Sequence, residues 1–174
     1  AVERFIEGRS YAPVQVETII EPEPLGTAGA VAFARQTLRS DPVLIMNGDS
    51  WMDADLSRML AFHQSQNVAV TMLCARVPDA GRYGRLELDC RDRIVRFIEK
   101  DRAFVGSSWI NAGAYLVSRS VLDRICELRK GSLERDVFEA MPSGQIAAFQ
   151  ASGSFLDIGT PESLAAAPLI LVTT

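Results

Sequence analysis

Two aspartates far apart in the chain are the first candidates for chemistry in this sequence. Asp49 closes "VLIMNGD", a short apolar run that ends in Asn47-Gly48-Asp49. Asp157 lies in "FLDIGTPES", between Leu156 and Ile158. A carboxylate at the end of a buried strand can hold a divalent cation through its hard oxygen atoms. An aspartate among apolar residues is costly to bury without a partner, and a metal shared by Asp49 and Asp157 would supply one. Taken alone, Asp49 fits an ordinary turn equally well. Glu99-Lys100, at the end of "RIVRFIEK", sets a carboxylate beside an ammonium. Such a pair can grip a hydroxyl and a phosphate, although solvated charge pairs are the commoner use of these neighbours. In "EPEPLGTAGA", Gly26 and Gly29 let a ligand approach the backbone. Thr27 to Gly29 open a helix whose free N–H groups favour an anion or a polar base edge. A plain capped helix explains the same residues. The triplet Asp53-Ala54-Asp55 has the DxD form of some metal sites, but Asp55 is accounted for as the N-cap of "LSRMLAFHQSQ".

Elements to position these residues can be read along the chain. Ala1 to Glu7 has the pattern of a helix end closed by Gly8, and Val14 to Ile20 alternates as a half-buried strand does. Thr27 is expected to cap a helix reaching about Leu38, and Val43 to Met46 reads as a short buried strand. "VAVTMLCARV" is continuously apolar, as a central strand is. "YGRLELD" and "RIVRFIEK" form a hairpin pattern, and "WINAGAYLVS" is a further strand. Ser118 and Ser132 are placed to cap the helices "RSVLDRICEL" and "SLERDVFEAM". "IAAFQA" and "FLDIG" are short strands, and Pro161 opens the last helix. Strand and helix alternate first and hairpins follow, which predicts an α/β sheet that is parallel at first and mixed later. Ligands of open α/β sheets bind beyond the carboxyl ends of the strands, where all four candidate turns fall.

Composition narrows the chemistry. The 174 residues suit one domain, with 48% hydrophobic and 23% charged residues as in soluble globular proteins. A net charge of -4 provides no general basic field, so nucleic acid is not expected as a partner. No apolar run approaches the ~20 residues that span a bilayer, and no signal peptide is visible, so no membrane role and a cytoplasmic setting are expected. Cys74, Cys90 and Cys126 are dispersed and odd in number, as in a reducing compartment. The single histidine, His63, reads as a surface residue of a helix, which leaves no partner for a Ser-His-Asp or Cys-His nucleophile.

In order, "EPLGTAGA", "NGD", "YGRLELD…RIVRFIEK", "INAGAYLVS", "SLERDVF" and "FLDIGTPESL" resemble the sugar-1-phosphate nucleotidyltransferases, from about Val14 to Leu164. That resemblance implies a Rossmann-like, GT-A-like mixed α/β sheet flanked by helices. The family's opening strand, "GGxGTRL"-like loop and lysine before proline have no counterpart here. Residues 1–174 therefore read as one nucleotidyltransferase domain that is N-terminally incomplete and lacks its first βαβ unit. The resemblance implies that Asp49 and Asp157 are Mg²⁺ ligands, and that Glu21, Leu25, Gly26 and Thr27 meet the nucleotide. Gly84, Glu99 and Asn111 would meet the sugar, and Lys100 its phosphate. Asp49, Lys100 and Asp157 would carry the catalysis. The implied reaction joins a nucleoside triphosphate to a sugar 1-phosphate and releases pyrophosphate.

"EPLGTAGA" looks most like guanylyltransferases acting on mannose-type sugars, and "FLDIG" with "SLERDVF" is similar to the D-glycero-D-manno-heptose 1-phosphate guanylyltransferases. A carboxylate at Glu21 could accept from guanine N1–H and its 2-amino group, which favours GTP. A non-catalytic module that binds nucleotide sugar, and a GT-A glycosyltransferase using the DxD triplet, are the alternatives. Homo-oligomeric assembly is compatible with all three.

Overall fold

The computed structural model describes residues 2–171. A short helix α1 (Val2–Ile6) ends at Gly8, which takes the left-handed φ of +75° that favours glycine. Ala1 of the expected helix lies outside the described residues. Val14 to Ile20 forms no strand. It follows a turn and takes no regular structure, with Val14 66% and Ile20 67% exposed. Alternation marks a segment with one apolar face, but a strand also needs a partner for its N–H and C=O groups. None pairs with this segment among the described residues.

The following elements are α2 (Gly26–Phe33), β1 (Val43–Met46), β2 (Ser50–Met52), α3 (Leu56–Gln66), β3 (Val70–Val77), β4 (Arg85–Leu88) and β5 (Ile94–Ile98). Next come β6 (Ser108–Val117), α4 (Arg119–Ile125), a π-helical turn (Leu133–Phe138), β7 (Ile146–Ala151), β8 (Phe155–Asp157) and α5 (Pro161–Leu171). A six-stranded sheet runs β5-β4-β6-β3-β7, with β1 beside β6, and β2 pairs with β8 in a sheet of their own. The expected order is corrected in one respect. β1 and β3 are not parallel neighbours, because the long strand β6 stands between them and pairs antiparallel with both. Among the described strands, β3 and β7 alone pair in parallel.

Strand β3 is central, as its unbroken apolar run predicts, and is buried on both faces from Val70 to Ala75. One core lies on the face covered by α2, α4 and the π-helical turn. It includes Tyr115, Val117, Leu122, Leu133 and Phe138, with the Tyr115 and Phe138 rings 4.9 Å apart. The other, with Met59, Leu73, Ile110 and Leu116, lies on the α3 face. β1 is not fully buried: Val43 points inward, while Leu44 and Met46 are exposed.

Asp55 caps α3 as expected, its Oδ1 accepting from the N–H groups of Ser57 and Arg58 at 2.9 and 3.0 Å. Ser118 and Ser132 stand at their predicted N-cap positions. Only Ser132 caps with its side chain, accepting from Arg135 N–H, whereas the Ser118 hydroxyl meets that of Ser120. Helix α2 stops at Phe33 and passes into a 3₁₀ turn, Arg35–Thr37, rather than running on to Leu38.

His63 is buried rather than exposed. It faces the sheet from α3, and its Nδ1 lies 2.8 Å from the Thr71 hydroxyl. Burial lowers its pKa below the ordinary 6.5, against an opposing pull from Asp41. The unfolded chain therefore takes up a proton near pH 6.5 that the folded protein resists, and stability falls as pH drops through that value. Denaturant midpoints at pH 7.5 and 5.5 should show this decline. His63→Gln should remove that part of it.

Candidate active site

Asp49 and Asp157 are brought together by the β2–β8 ladder. Ser50 pairs with Asp157, Trp51 with Leu156 and Met52 with Phe155. The ladder continues past Asp157, where Ile158 N–H donates to the Asp49 carbonyl at 2.9 Å. Gly153 lets the connecting turn close, since a Cβ there would meet the Asp53 carbonyl oxygen at 1.9 Å. Both carboxylates face a cavity of about 720 Å³ that Asp79, Arg82, Tyr83, Lys100, Arg102 and Thr160 also line.

A second cavity, of about 330 Å³, adjoins it and shares Tyr83 and Lys100. Gly84, Glu99 and Asn111 line it, with Glu134 and Glu139. Hairpin register explains the grouping. Arg85 pairs with Ile98, so Gly84 and Glu99 flank the open end of the β4–β5 hairpin, and Arg85 also pairs with Ile110, next to Asn111. Along that flank of β6, β1 covers Ala114 to Val117 and β4 covers Trp109 and Ile110. The gap between β1 and β4 is where the site opens.

A bulge in β6 shapes this gap. Ala112, Gly113 and Ala114 stand opposite Leu73 alone. Gly113 has φ +79°, its carbonyl accepts from Asn47 N–H at 2.8 Å, and a Cβ on it would press on Asn47 and Ser50 at 3.1–3.2 Å.

The two carboxylates fit a magnesium ion by donor chemistry. Asp157 Oδ1 accepts from Gly159 N–H at 2.8 Å and Asp49 Oδ1 lies 3.4 Å from the Ser50 hydroxyl, while neither Oδ2 has a protein hydrogen bond among the described residues. Neither is in an ion pair among the described residues. No group of three or more His, Cys, Asp or Glu side chains is placed to hold a metal ion among the described residues. Mg²⁺ is commonly held by one or two carboxylates together with phosphates and waters, so two free carboxylate oxygens at a cavity suit it.

The expected nucleotide contacts lie elsewhere. Glu21 lines a separate hollow of about 580 Å³ with Ile19, Ala30 and Phe33, and its Oε1 is buried with no hydrogen-bond partner among the described residues. Leu25, Gly26 and Thr27 are engaged within the fold. Leu25 carbonyl accepts from Gly131 N–H at 2.9 Å, and Gly26, at φ +75°, packs so closely that a Cβ would lie 2.4 Å from the Gly131 oxygen. Thr27 does not cap α2, which already begins at Gly26. Its hydroxyl accepts from Leu133 N–H at 2.8 Å and donates to Glu134. The structure thus brings Asp49, Asp157, Lys100, Gly84, Glu99 and Asn111 to two joined cavities, and leaves Glu21, Leu25, Gly26 and Thr27 outside them.

Sequence reasoning assigned nothing to Arg82, Arg102, Glu134 or Glu139. Arg82 precedes the "YG" pair and Arg102 follows "EK", so adjacency to a motif was the only available signal. Tyr83 sits between the cavities; burial raises its pKa, and Asp157 and Asp79 add to the rise against Arg82.

An α/β sheet with paired carboxylates and a lysine gathered at one mouth defines a domain suited to phosphate-bearing ligands. The chain belongs to the nucleotidyl transferase family, whose sequence profile matches residues 1–172. It is 36% identical to a mannose-1-phosphate guanylyltransferase of Mycobacterium tuberculosis over 92% of this chain and 49% of that protein. It is 38% identical to the mannose-1-phosphate guanylyltransferase catalytic subunit beta of Xenopus tropicalis over 86% of this chain and 42% of that protein. The chain therefore spans about half the length of these curated relatives. Among solved structures it is similar to HddC from Yersinia pseudotuberculosis, with TM-score 0.78 and 29% identity over 95% of this chain and 71% of that one. HddC has also been solved complexed with GMP-PN. No helix among the described residues is long and apolar enough to cross a membrane.

Proposed function

We propose that the protein transfers a nucleotidyl group from a nucleoside triphosphate, preferably GTP, to a sugar 1-phosphate of the mannose or heptose type, releasing pyrophosphate. The supporting observation is the pairing of Ser50 with Asp157, which sets two carboxylates on the larger cavity that Lys100 also lines. In this reading Asp49 and Asp157 would hold Mg²⁺, which when bound neutralises phosphate charge. Lys100, between the cavities, draws in the sugar phosphate as a point charge. Gly84, Glu99 and Asn111 orient the sugar so that its phosphate oxygen meets the α-phosphorus in line, and positioning rather than a general base does the work.

Glu21, Leu25, Gly26 and Thr27 are assigned to the base side. For Glu21, the buried Oε1 without a partner among the described residues supports this, since it suits the N–H donors of guanine. The names of the guanylyltransferase relatives and the GMP-PN complex of HddC support the same base. Three free cysteines are consistent with a cytoplasmic setting.

Pyrophosphate release is the test, measured with mannose 1-phosphate, Mg²⁺ and each of GTP, UTP, dTTP and ATP. GTP should be preferred by roughly tenfold or more, because a wrong base leaves the buried carboxylate unpaired. Preference for UTP or dTTP would overturn the base assignment. Binding of GDP-mannose without any release would replace the enzyme with a nucleotide-sugar-binding module.

A further inference from the structure

Behind Asn111 runs a directional chain of hydrogen bonds. Asn111 Oδ1 accepts from Gly113 N–H at 2.9 Å, and its Nδ2 donates to the Tyr115 hydroxyl at 2.7 Å. That hydroxyl donates to Glu134 Oε1 at 2.7 Å. Glu134 Oε2 in turn accepts from the Ser132 hydroxyl at 2.8 Å and the Thr27 hydroxyl at 3.3 Å. Burial pushes the Glu134 carboxyl up, but the hydrogen bonds from Tyr115, Ser132, a backbone N–H and Thr27 outweigh it and hold the group below the usual range.

The polarity of this chain has a consequence. An ionised carboxylate only accepts, so the Tyr115 hydroxyl must spend its one proton on Glu134 and present a lone pair to Asn111. Gly113 N–H only donates, so it demands the amide oxygen of Asn111. Both ends therefore select the same orientation of the amide. A flipped amide would set Nδ2 against Gly113 N–H and Oδ1 against a hydroxyl with no proton to give. In the selected orientation the second Nδ2 hydrogen has no protein partner among the described residues, and Asn111 lines the sugar cavity. Tyr115 is fully buried and does not line that cavity, whereas Glu134 lines it beside Asn111.

We propose that Tyr115 and Glu134 are positioning residues that fix the Asn111 amide so that it offers an N–H donor to a hydroxyl oxygen of the sugar phosphate. The inference rests on the function proposed above and names a device for sugar selection that acts through Asn111.

A double-mutant cycle in the intact protein tests it, with Tyr115→Phe, Asn111→Ala and their combination. Tyr115→Phe keeps the buried ring and removes only the hydroxyl. It should raise the KM for mannose 1-phosphate about tenfold, the worth of one well-made hydrogen bond. The KM for GTP should stay within about twofold. In the Asn111→Ala background, Tyr115→Phe should add nothing, since the group it orients is gone. Additive losses, or equal rises in both KM values, would show a general structural role and overturn the proposal. Glu134→Gln is measured in the same two backgrounds and should give a smaller rise, roughly threefold, again confined to mannose 1-phosphate and absent without Asn111. If Tyr115→Phe does not fold, that second cycle decides, and additivity in it is equally fatal. A wild-type protein with no turnover would sink the functional reading itself, whereas turnover with an additive cycle would sink only the relay.

Discussion

Asp157→Asn is expected to lower turnover about 10³-fold while leaving the thermal midpoint within about 2 °C of the wild type. The fold should tolerate the change, because the contact Asp157 makes within the protein is acceptance from Gly159 N–H through Oδ1, and an asparagine oxygen can serve there. What is lost is charge. A metal-held phosphate gains several kcal/mol of charge stabilisation, and each 1.36 kcal/mol is a factor of ten in rate. Asp49→Asn should behave alike, since its backbone ties to Ile158 are untouched. In both variants the Mg²⁺ concentration for half-maximal activity should rise. Pyrophosphate release titrated with Mg²⁺, alongside a melting curve, measures both quantities. Near-full activity in either variant would remove that aspartate from the metal site.

Lys100→Met carries the second-largest effect, a loss of about 10²-fold in kcat/KM for the sugar phosphate. Lys100 is exposed, borders both cavities and is in no ion pair among the described residues, so its charge is available to a ligand. A hydrogen bond to a charged group is worth ~1.5–3 kcal/mol, which sets the size of the loss. Methionine keeps much of the stem and removes the ammonium. Arg82 and Arg102 remain around the larger cavity, so some attraction for phosphate survives. Rising ionic strength should weaken wild-type binding more than that of Lys100→Met. Unchanged kinetics with mannose 1-phosphate would take Lys100 out of the site.

Much of this arrangement is legible from the residues. The β3 run is readable because a strand buried on both faces has no reason to alternate. The Asp55 cap and the β4–β5 hairpin are local events, written within a few residues. The pairing of β2 with β8 is not local. Each strand has three residues, too few for a periodic signal, and their partnership depends on chain folding between them. For that reason no local pattern links Asp49 and Asp157; residue type and setting suggest a shared metal, and family resemblance supports it. His63 was misread because its partner, Thr71, sits on the next strand and not on its own helix. Val14 to Ile20 failed in the opposite sense, with an apolar rhythm present and no neighbouring strand to use it. Tyr115 and Glu134 were visible as types, but the relay they form joins β6 to the π-helical turn and exists only in three dimensions.

Strand β6 works as a ruler. Its ten residues bear the partner of the Gly84 hairpin at Ile110 and, three residues on, the anchor of the Asn47–Asp49 turn at Gly113, within the bulge. The reach from the metal side of the site to the sugar side is thus counted along one piece of backbone, the bulged stretch of β6. Lengthening the outlying loops leaves that count alone. A change in the number of residues between Ile110 and Gly113 resets it, so the span offered to a substrate is encoded in a stretch four residues long, 110–113.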